Sequence, residues 1–176
     1  TVNFAGSATI TGPIGASNAI TALNFNGGAG KIVNLNAAAK VTNFTIAGIG
    51  SVIAGGPITG AVKFTADGRL TASNGITGAV TTNVNNTGTL NLPGTVTGQL
   101  GTAALPLKAV NFDTGVTTLN LASFATNFTV ADAAAAVTAL GLMTGDVGFA
   151  ADGTLSATSG IAGAVTTSAN NAGTLN

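Results

Sequence analysis

The feature that most constrains the fold of this chain is an internal repeat. Residues 60–91 and 145–176 align without a gap and are identical at 21 of 32 positions. A repeat of this length is typical of architectures in which each unit stacks on the one before it. We therefore divide the chain into two units, 1–88 and 89–176, and expect them to form one continuous rod.

Fainter matches extend the repeat through both units. Residues 1–4, TVNF, match residues 89–92, TLNL, and Asn34-Leu35 matches Asn120-Leu121. Residues 174–176, TLN, repeat the same opening once more. We therefore expect the chain to be a segment of a longer repeat protein.

A shorter period lies inside each unit. One large apolar residue recurs about every 20 residues within a short apolar-polar alternation, which is the pattern of a β-strand. This period predicts an all-β fold, a right-handed parallel β-helix (β-solenoid) of about eight coils and roughly 40 Å in length. The large residues should lie over one another as a ladder in the core: Phe4, Phe25, Phe44, Phe64, Leu92, Phe112, Phe128 and Phe149.

Turn-forming residues separate the predicted strands. Asp67-Gly68 and Asp152-Gly153 are typical of tight turns between strands. Asparagine tolerates left-handed backbone angles, and stacked amides can form hydrogen-bonded ladders along a solenoid. The asparagines at turn-like places are Asn26, Asn36, Asn74, Asn85, Asn86, Asn170 and Asn171.

One segment departs from the strand pattern. Residues 131–142, ADAAAAVTALGL, are rich in alanine and favour a short helix. Alanine also packs in the tight corners of a β-helix. A short helix and a tight corner are both open from the sequence.

The composition excludes several classes of site. Charged residues make up 6% of the chain and the net charge is zero, against roughly 25% charged residues in an average globular domain. Without a basic surface, nucleic-acid binding is not expected. The chain has no His and no Cys, so imidazole and thiolate metal sites are excluded. The glycine-rich segment 27–30, GGAG, is followed by Lys31 rather than by a calcium-binding aspartate. We therefore expect neither a metal nor a cofactor.

The few charged side chains do not suggest catalysis. Asp67, Asp146 and Asp152 are the candidates for a polysaccharide-active β-helix enzyme. Asp67 and Asp152 are equivalent positions, about four coils or some 20 Å apart, which is too far for a catalytic carboxylate pair. Lys63, Asp67 and Arg69 are expected to form a solvated local charge group. We therefore predict that the chain is not an enzyme.

A membrane-spanning role is also not expected. Residues 70–107 carry no charge, but Asn, Gly and Thr interrupt the run. A spanning helix needs about 20 mostly apolar residues in a row. We predict no membrane insertion of this segment.

Two stretches resemble a known family. Residues 64–82, FTADGRLTASNGITGAVTT, and residues 101–112, GTAALPLKAVNF, resemble the passenger-domain repeats of rickettsial-type surface autotransporters, which are large outer-membrane antigen and adhesin proteins. The resemblance covers most of both units. It implies a parallel β-helix displayed outside the cell, serving in adhesion or as a surface layer, and it carries no catalytic motif.

These observations lead to three hypotheses of function. The first is a structural or adhesive segment of a long bacterial cell-surface or secreted protein, acting as a stalk or adhesin. The second is a repeat subunit of an extracellular filament or surface layer, and the third is a polysaccharide-active β-helix enzyme. Expected partners are further copies of its own repeat end to end, other rods in self-association, and host or cell surfaces.

Overall fold

The chain folds as a parallel β-solenoid of about nine coils, which confirms the predicted parallel β-helix. A computed structural model describes residues 1–168 and 172–176; the predicted turn residues Asn170 and Asn171 lie outside this range. All named strand pairs are parallel, as expected when each coil stacks on the previous one. The strands are β1 (Val2–Phe4), β2 (Ala8–Ile10), β3 (Ile20–Phe25), β4 (Ile32–Leu35), β5 (Ala39–Ile46), β6 (Ser51–Ala54), β7 (Ile58–Phe64), β8 (Arg69–Ala72), β9 (Ile76–Thr77), β10 (Val80–Thr82), β11 (Thr89–Leu92), β12 (Leu107–Phe112), β13 (Gly115–Leu119), β14 (Ser123–Val130), β15 (Ala135–Ala139), β16 (Met143–Phe149), β17 (Thr154–Ala157), β18 (Ile161–Ala162), β19 (Val165–Thr167) and β20 (Thr174–Leu175).

The coils have three faces, which we call A, B and C. Face A begins with the stacked strands β1, β3, β5, β7 and β10. Face B runs through β2, β4, β6, β8, β11, β12, β14, β16 and β19. Face C begins with Ile14 and the first residues of β5 and β7, passes through β9 and Val96, and continues as β13, β15, β17 and β20. Long strands such as β5 and β14 bend around a corner at a shift in register.

Each unit starts one face further round the rod than the unit before it. Unit 1 opens with β1 on face A and completes four coils at β10. The equivalent opening strand of unit 2, β11, pairs with β8 and β12 on face B. The next TLN opening, in β20, pairs with β17 on face C. One unit therefore occupies four coils and one additional face.

The short helix considered for residues 131–142 is absent, and that prediction is wrong. The described part of the chain contains no helix. Residues Ala135–Ala139 form β15, which pairs in register with β13 below and β17 above. Ala135, Val137 and Ala139 are buried, so the segment follows the period of two that the neighbouring coils impose. Tertiary pairing overrides the weak helix propensity of alanine.

The eight predicted ladder residues lie in the core region but do not form one column. Phe4, Phe25 and Phe64 share a column of face A, and Ile46 takes the remaining place. Phe44 instead stacks in the adjacent column, over Leu23 and under Val62. The ring centroids of Phe4 and Phe25 are 5.5 Å apart and their planes are nearly parallel.

Unit 2 repeats this arrangement on face B. Leu92, Phe112 and Phe149 share a column with Val130, whereas Phe128 stacks one column away, against Val110. The third ladder residue of each unit, Phe44 or Phe128, is thus displaced by two residues along its strand. A displacement by two keeps the side chain inside the core, because alternate residues of a strand point to the same side.

One predicted match between the units is wrong by two residues. Leu35 and Leu119 are both buried, whereas Leu121 is exposed. Leu119, and not Leu121, therefore takes the place of Leu35 in unit 2. Leu119 and Leu121 are two residues apart and both fit the alternation of a strand. The sequence pattern alone therefore cannot decide which of them matches Leu35.

Candidate functional site

A feature that the two units share is a column of mostly polar residues that alternate with the core residues of their strands, which we call the outer ladder. In unit 1 it runs along face A, and in unit 2 along face B, with each member paired to the next through its strand. Its members are Asn3, Asn24, Thr45, Lys63 and Thr81 in unit 1, and Asn91, Asn111, Thr129, Gly148 and Thr166 in unit 2.

Side-chain amides connect successive coils in the outer ladder. Asn24 Nδ2 donates to Asn3 Oδ1 at 2.8 Å, and Asn111 Nδ2 donates to Asn91 Oδ1 at 2.9 Å. Asn91 also lies over Thr71, with Nδ2 3.5 Å from its Oγ1. Amide ladders were expected at turns, but these asparagines lie on strands, immediately before the Phe or Leu residues of the predicted core ladder. That recurring Asn-Phe or Asn-Leu pair is the signal that could have located them.

The predicted turn asparagines have individual roles. Asn86 is the one non-glycine residue of the described chain with a left-handed backbone, at φ 56°. Its Oδ1 accepts a hydrogen bond from Thr126 Oγ1 at 2.9 Å. Asn74 Nδ2 donates to the Gly55 carbonyl.

The Asp-Gly pairs lie between β7 and β8 and between β16 and β17, and their aspartates connect neighbouring coils. Asp67 Oδ1 accepts a hydrogen bond from the Gly88 N–H at 3.3 Å, and Asp152 Oδ1 accepts the equivalent bond from Gly173 at 3.1 Å. These bonds explain why both aspartates recur at the same place in the repeat. Each satisfies a backbone donor on the following coil.

Gly68 and Gly153 are required for space rather than for a left-handed backbone. Neither adopts the left-handed conformation. A Cβ on Gly68 would meet the Gly48 and Gly50 carbonyl oxygens of the coil below, and a Cβ on Gly153 would meet the Val130 side chain. The close approach of neighbouring coils selects glycine here.

The local charge group predicted for Lys63, Asp67 and Arg69 does not form as expected. Asp67 pairs instead with Lys108, two coils further along, at 2.5 Å between Oδ2 and Nζ. The pKa of Asp67 is lowered, chiefly because Lys108 donates a hydrogen bond to the carboxylate. Both side chains are well exposed, so the pair contributes at most about 1 kcal/mol.

Asp113 has the opposite electrostatic environment. Burial raises the pKa of its carboxyl, and the positive charge of Arg69 offsets only part of this effect. The nearby charge of Asp132 raises the pKa further. A carboxylate that is partly removed from water without a salt-bridge partner destabilises the fold.

The candidate catalytic aspartates are dispersed. Asp67 follows β7 at the corner between faces A and B, whereas Asp152 follows β16 at the corner between faces B and C. Asp146 Oδ1 accepts a hydrogen bond from the Ala164 N–H at 2.9 Å. Among the described residues, no three acidic side chains approach closely enough to hold a metal ion. The structure therefore does not bring the three candidates together as one group.

An exposed apolar patch lies at the corner between faces C and A in unit 2, where Leu121, Leu140 and Leu142 are exposed.

Within residues 1–168 and 172–176 there is no helix that is long and apolar enough to cross a membrane. Comparisons with protein families, with curated proteins and with solved structures find no match to this chain.

Proposed function

We propose that this chain is a structural segment of a long bacterial cell-surface or secreted protein, in which it acts as a stalk or adhesin. The observation that carries the proposal is a single apolar core that continues from coil to coil, from Leu23 to Leu155. No described side-chain polar atom buried in it lacks a hydrogen-bond partner. Such a core supports an extended rod, because each added coil buries the apolar face of the one before it.

The length of the rod provides the test of a stalk. Each unit contributes four coils and one face, so an added unit should lengthen the rod by about 20 Å. Small-angle scattering of chains with two, three and four units would measure the increment. A maximum dimension that does not increase with unit number would contradict the stalk.

The outer ladder supports the adhesive part of the proposal. Apart from the buried Asn91, from Lys63 and from Gly148, which has no side chain, its members present amides and hydroxyls along the rod, with neighbouring coils about 4.8 Å apart. Individually weak contacts add when many are made at once. Cells displaying the chain should therefore bind host or abiotic surfaces more strongly as the number of units increases, and adhesion that does not depend on unit number would contradict this role.

The location at the bacterial surface is supported by the resemblance of residues 64–82 and 101–112 to autotransporter passenger repeats. The absence of cysteine is compatible with an extracellular protein that other interactions stabilise. Antibody labelling of intact source cells tests the location. Labelling only after lysis would contradict it.

A second candidate is a subunit of an extracellular filament or surface layer. The zero net charge of the chain favours it, because a protein without net charge associates readily. Electron microscopy of the purified chain distinguishes the candidates: fibres or lattices support the second, and isolated short rods support the first.

A further inference from the structure

Each of the two long bent strands carries an exposed asparagine that contacts between coils do not explain. Asn43 of β5 and Asn127 of β14 are equivalent positions in the two units. The Asn127 side chain makes no hydrogen bond to the residues that the structure describes. Asn43 makes one long contact, with Nδ2 3.4 Å from the Thr21 carbonyl oxygen. The amide-to-amide bonds that account for the outer ladder are thus missing at this pair.

Both asparagines begin the same tripeptide, Asn-Phe-Thr, at residues 43–45 and 127–129. The central residues, Phe44 and Phe128, are buried in the core. Since side chains alternate along a strand, the asparagine and the threonine of each tripeptide both point outward. An asparagine followed by a residue other than proline and then by Ser or Thr is the acceptor motif for N-linked glycosylation. The fold therefore presents both polar residues of this motif on the surface of each unit.

Small neighbours leave room for a sugar beside Asn43. It pairs with Ala22 on the coil below and with Ala61 on the coil above. It also lies at the bend of β5, immediately after the shift in register that follows Lys40. A glycan at this position would project from a corner of the rod without displacing a large side chain.

The surroundings of Asn127 are similar. It follows the shift in register after Phe124 and pairs with Ala109 on the coil below. Its partner on the coil above is Asp146, whose carboxylate accepts a hydrogen bond from the Ala164 N–H and is held toward the following coil. Space is therefore open on the side of Asn127 that faces Ala109.

A third copy of the motif, Asn85-Asn86-Thr87, differs from these two. Thr87 is buried, and its Oγ1 donates to the Asn85 carbonyl at 3.3 Å. The corresponding residues of unit 2, 170–172, read Asn-Asn-Ala and lack the hydroxyl. The motif that recurs with both polar residues facing outward is Asn-Phe-Thr.

We propose that Asn43 and Asn127 are acceptor sites for N-linked glycans, added by a glycosyltransferase of the source cell. The donor is a sugar activated as a glycosyl diphosphate. The new bond joins the asparagine Nδ2 to C1 of the sugar, and the bond between C1 and the diphosphate oxygen breaks. The diphosphate leaves with the bonding electron pair, and the amide loses one proton to the transferase. This inference rests on the proposed surface location and deepens it.

Glycans would supply the hydrophilic surface that the composition of this chain lacks. Charged residues make up 6% of the chain and the net charge is zero, a balance that favours association. A glycan is bulky and solubilising. Because Asn43 lies on face A and Asn127 on face B, the sugars would project from two sides of the rod and favour separate stalks.

Mass spectrometry of peptides from the chain, purified from its source cells, tests the inference. Peptides that contain Asn43 and Asn127 should carry the added mass of one or more sugars on these asparagines. Addition of single sugars indicates a nucleotide-linked donor, and addition of one preassembled oligosaccharide indicates a lipid-linked donor. Asn111 is the internal control, because Asn111-Phe112-Asp113 has the same Asn-Phe pair without the hydroxyl and should carry no sugar.

Variants expressed in the source cells separate the motif from the asparagine. Asn127→Gln and Thr129→Val should each remove the sugar at position 127 and leave the sugar at position 43, whereas Thr129→Ser should retain both. Asn127→Gln changes an exposed side chain without a hydrogen-bond partner among the described residues, so the fold should persist. Circular dichroism verifies this.

The outcomes separate this inference from the proposed location. Unmodified Asn43 and Asn127 in a chain that antibodies label on intact cells would overturn the inference and leave the location standing. Sugar that survives Thr129→Val, or that Asn111 carries equally, would also overturn it. Sugar on both asparagines of a chain found only inside the cell would support the inference and contradict the location, and an unmodified chain found only there would overturn both.

Discussion

At the scale of the residue, the best-matched stretches of the two units are explained by contacts between coils. Gly88 and Gly173 both have positive φ, and both lie against a phenylalanine ring, Phe64 or Phe149. The aspartate one coil below accepts the glycine N–H in each case. The identity of residues 60–91 and 145–176 therefore follows from backbone geometry and packing, which demand the same residues at the same place.

Gly88→Ala should destabilise the chain by about 2–4 kcal/mol. An alanine there adopts a strained left-handed backbone and its Cβ overlaps the Phe64 ring. Gly28→Ala is the control, since nothing lies within 4 Å of the added Cβ and its φ is not positive. Chemical denaturation of both variants measures the difference, and equal stabilities would contradict this role of Gly88.

Phe44→Ala should cost about 3–5 kcal/mol, because it leaves a cavity at a fully buried site. Phe4→Ala should cost less, since Phe4 lies in the first coil and is only partly buried. Thermal or urea unfolding of the two variants makes the comparison. An equal loss at both positions would show that the first coil is covered under the conditions of the experiment.

Asp67→Asn and Asp113→Asn should shift stability in opposite directions at neutral pH. The pKa of Asp67 is lowered in the fold, so its stabilising effect is present above the unfolded value of 3.8 and is lost as pH falls through the lower folded pKa. The pKa of Asp113 is raised, so its charge is destabilising above the folded pKa, and this penalty vanishes as pH falls below 3.8.

Asp67→Asn is therefore expected to lower the unfolding free energy at pH 7, by less than about 1 kcal/mol because the pair is exposed. Asp113→Asn is expected to raise it, and the difference from wild type should shrink as the solution is acidified. Urea denaturation at pH 7 and pH 3 measures both effects. A destabilising Asp113→Asn at pH 7 would contradict the assignment.

At the scale of the element, β15 shows how neighbouring strands override local preference. Its alanines would suit a helix, but the strand must present one side to the core and pair with a coil on each side. Ala135 and Ala139 are both buried on the inner side of this strand. The result is a strand whose alternation is set by its partners rather than by its composition.

Val137→Asp should prevent folding of this coil or cost at least about 3 kcal/mol, since it buries an unpaired charge. Thr138→Asp, one residue further, should stay within about 0.5 kcal/mol of wild type because Thr138 alternates with buried neighbours and points outward. Denaturant unfolding and far-ultraviolet circular dichroism provide the measurement. Similar effects at both positions would exclude the alternation of a strand.

At the scale of the whole molecule, the repeat rotates the surface pattern of each unit about the axis of the rod relative to the unit before it. One unit spans four coils and one face, so equivalent surface residues occupy different sides of the rod in successive units. Three units return the pattern to its starting face. A stalk built this way would present its outer ladder in three directions, which suits contact with surfaces on any side.

Spin labels can measure this rotation, because the chain has no native cysteine. Asn127 lies four coils directly above Ser51, through Arg69, Thr89 and Ala109. Cysteines at 51 and 127 should therefore be separated by about 20 Å between backbones. The equivalent positions 43 and 127 should be several ångströms further apart, because they lie on different faces. If the 43–127 distance were the shorter one, the units would stack without rotation.

The sequence by itself determined the class of fold, because a period of two within a period of about 20 leaves few ways to bury the apolar residues other than stacked parallel coils. It also located the large apolar residues of the core ladder to within two residues of their places in the columns. Local pattern cannot decide which column an inward residue joins, since Phe44 and Ile46 both satisfy the alternation; the pairing with Leu23 and Phe25 decides it. The strand at 135–139, the Asp67–Lys108 pair across two coils and the rotation of the units were decided only by the tertiary structure. Each depends on the register between coils, and register is a property of the stack that no single repeat contains.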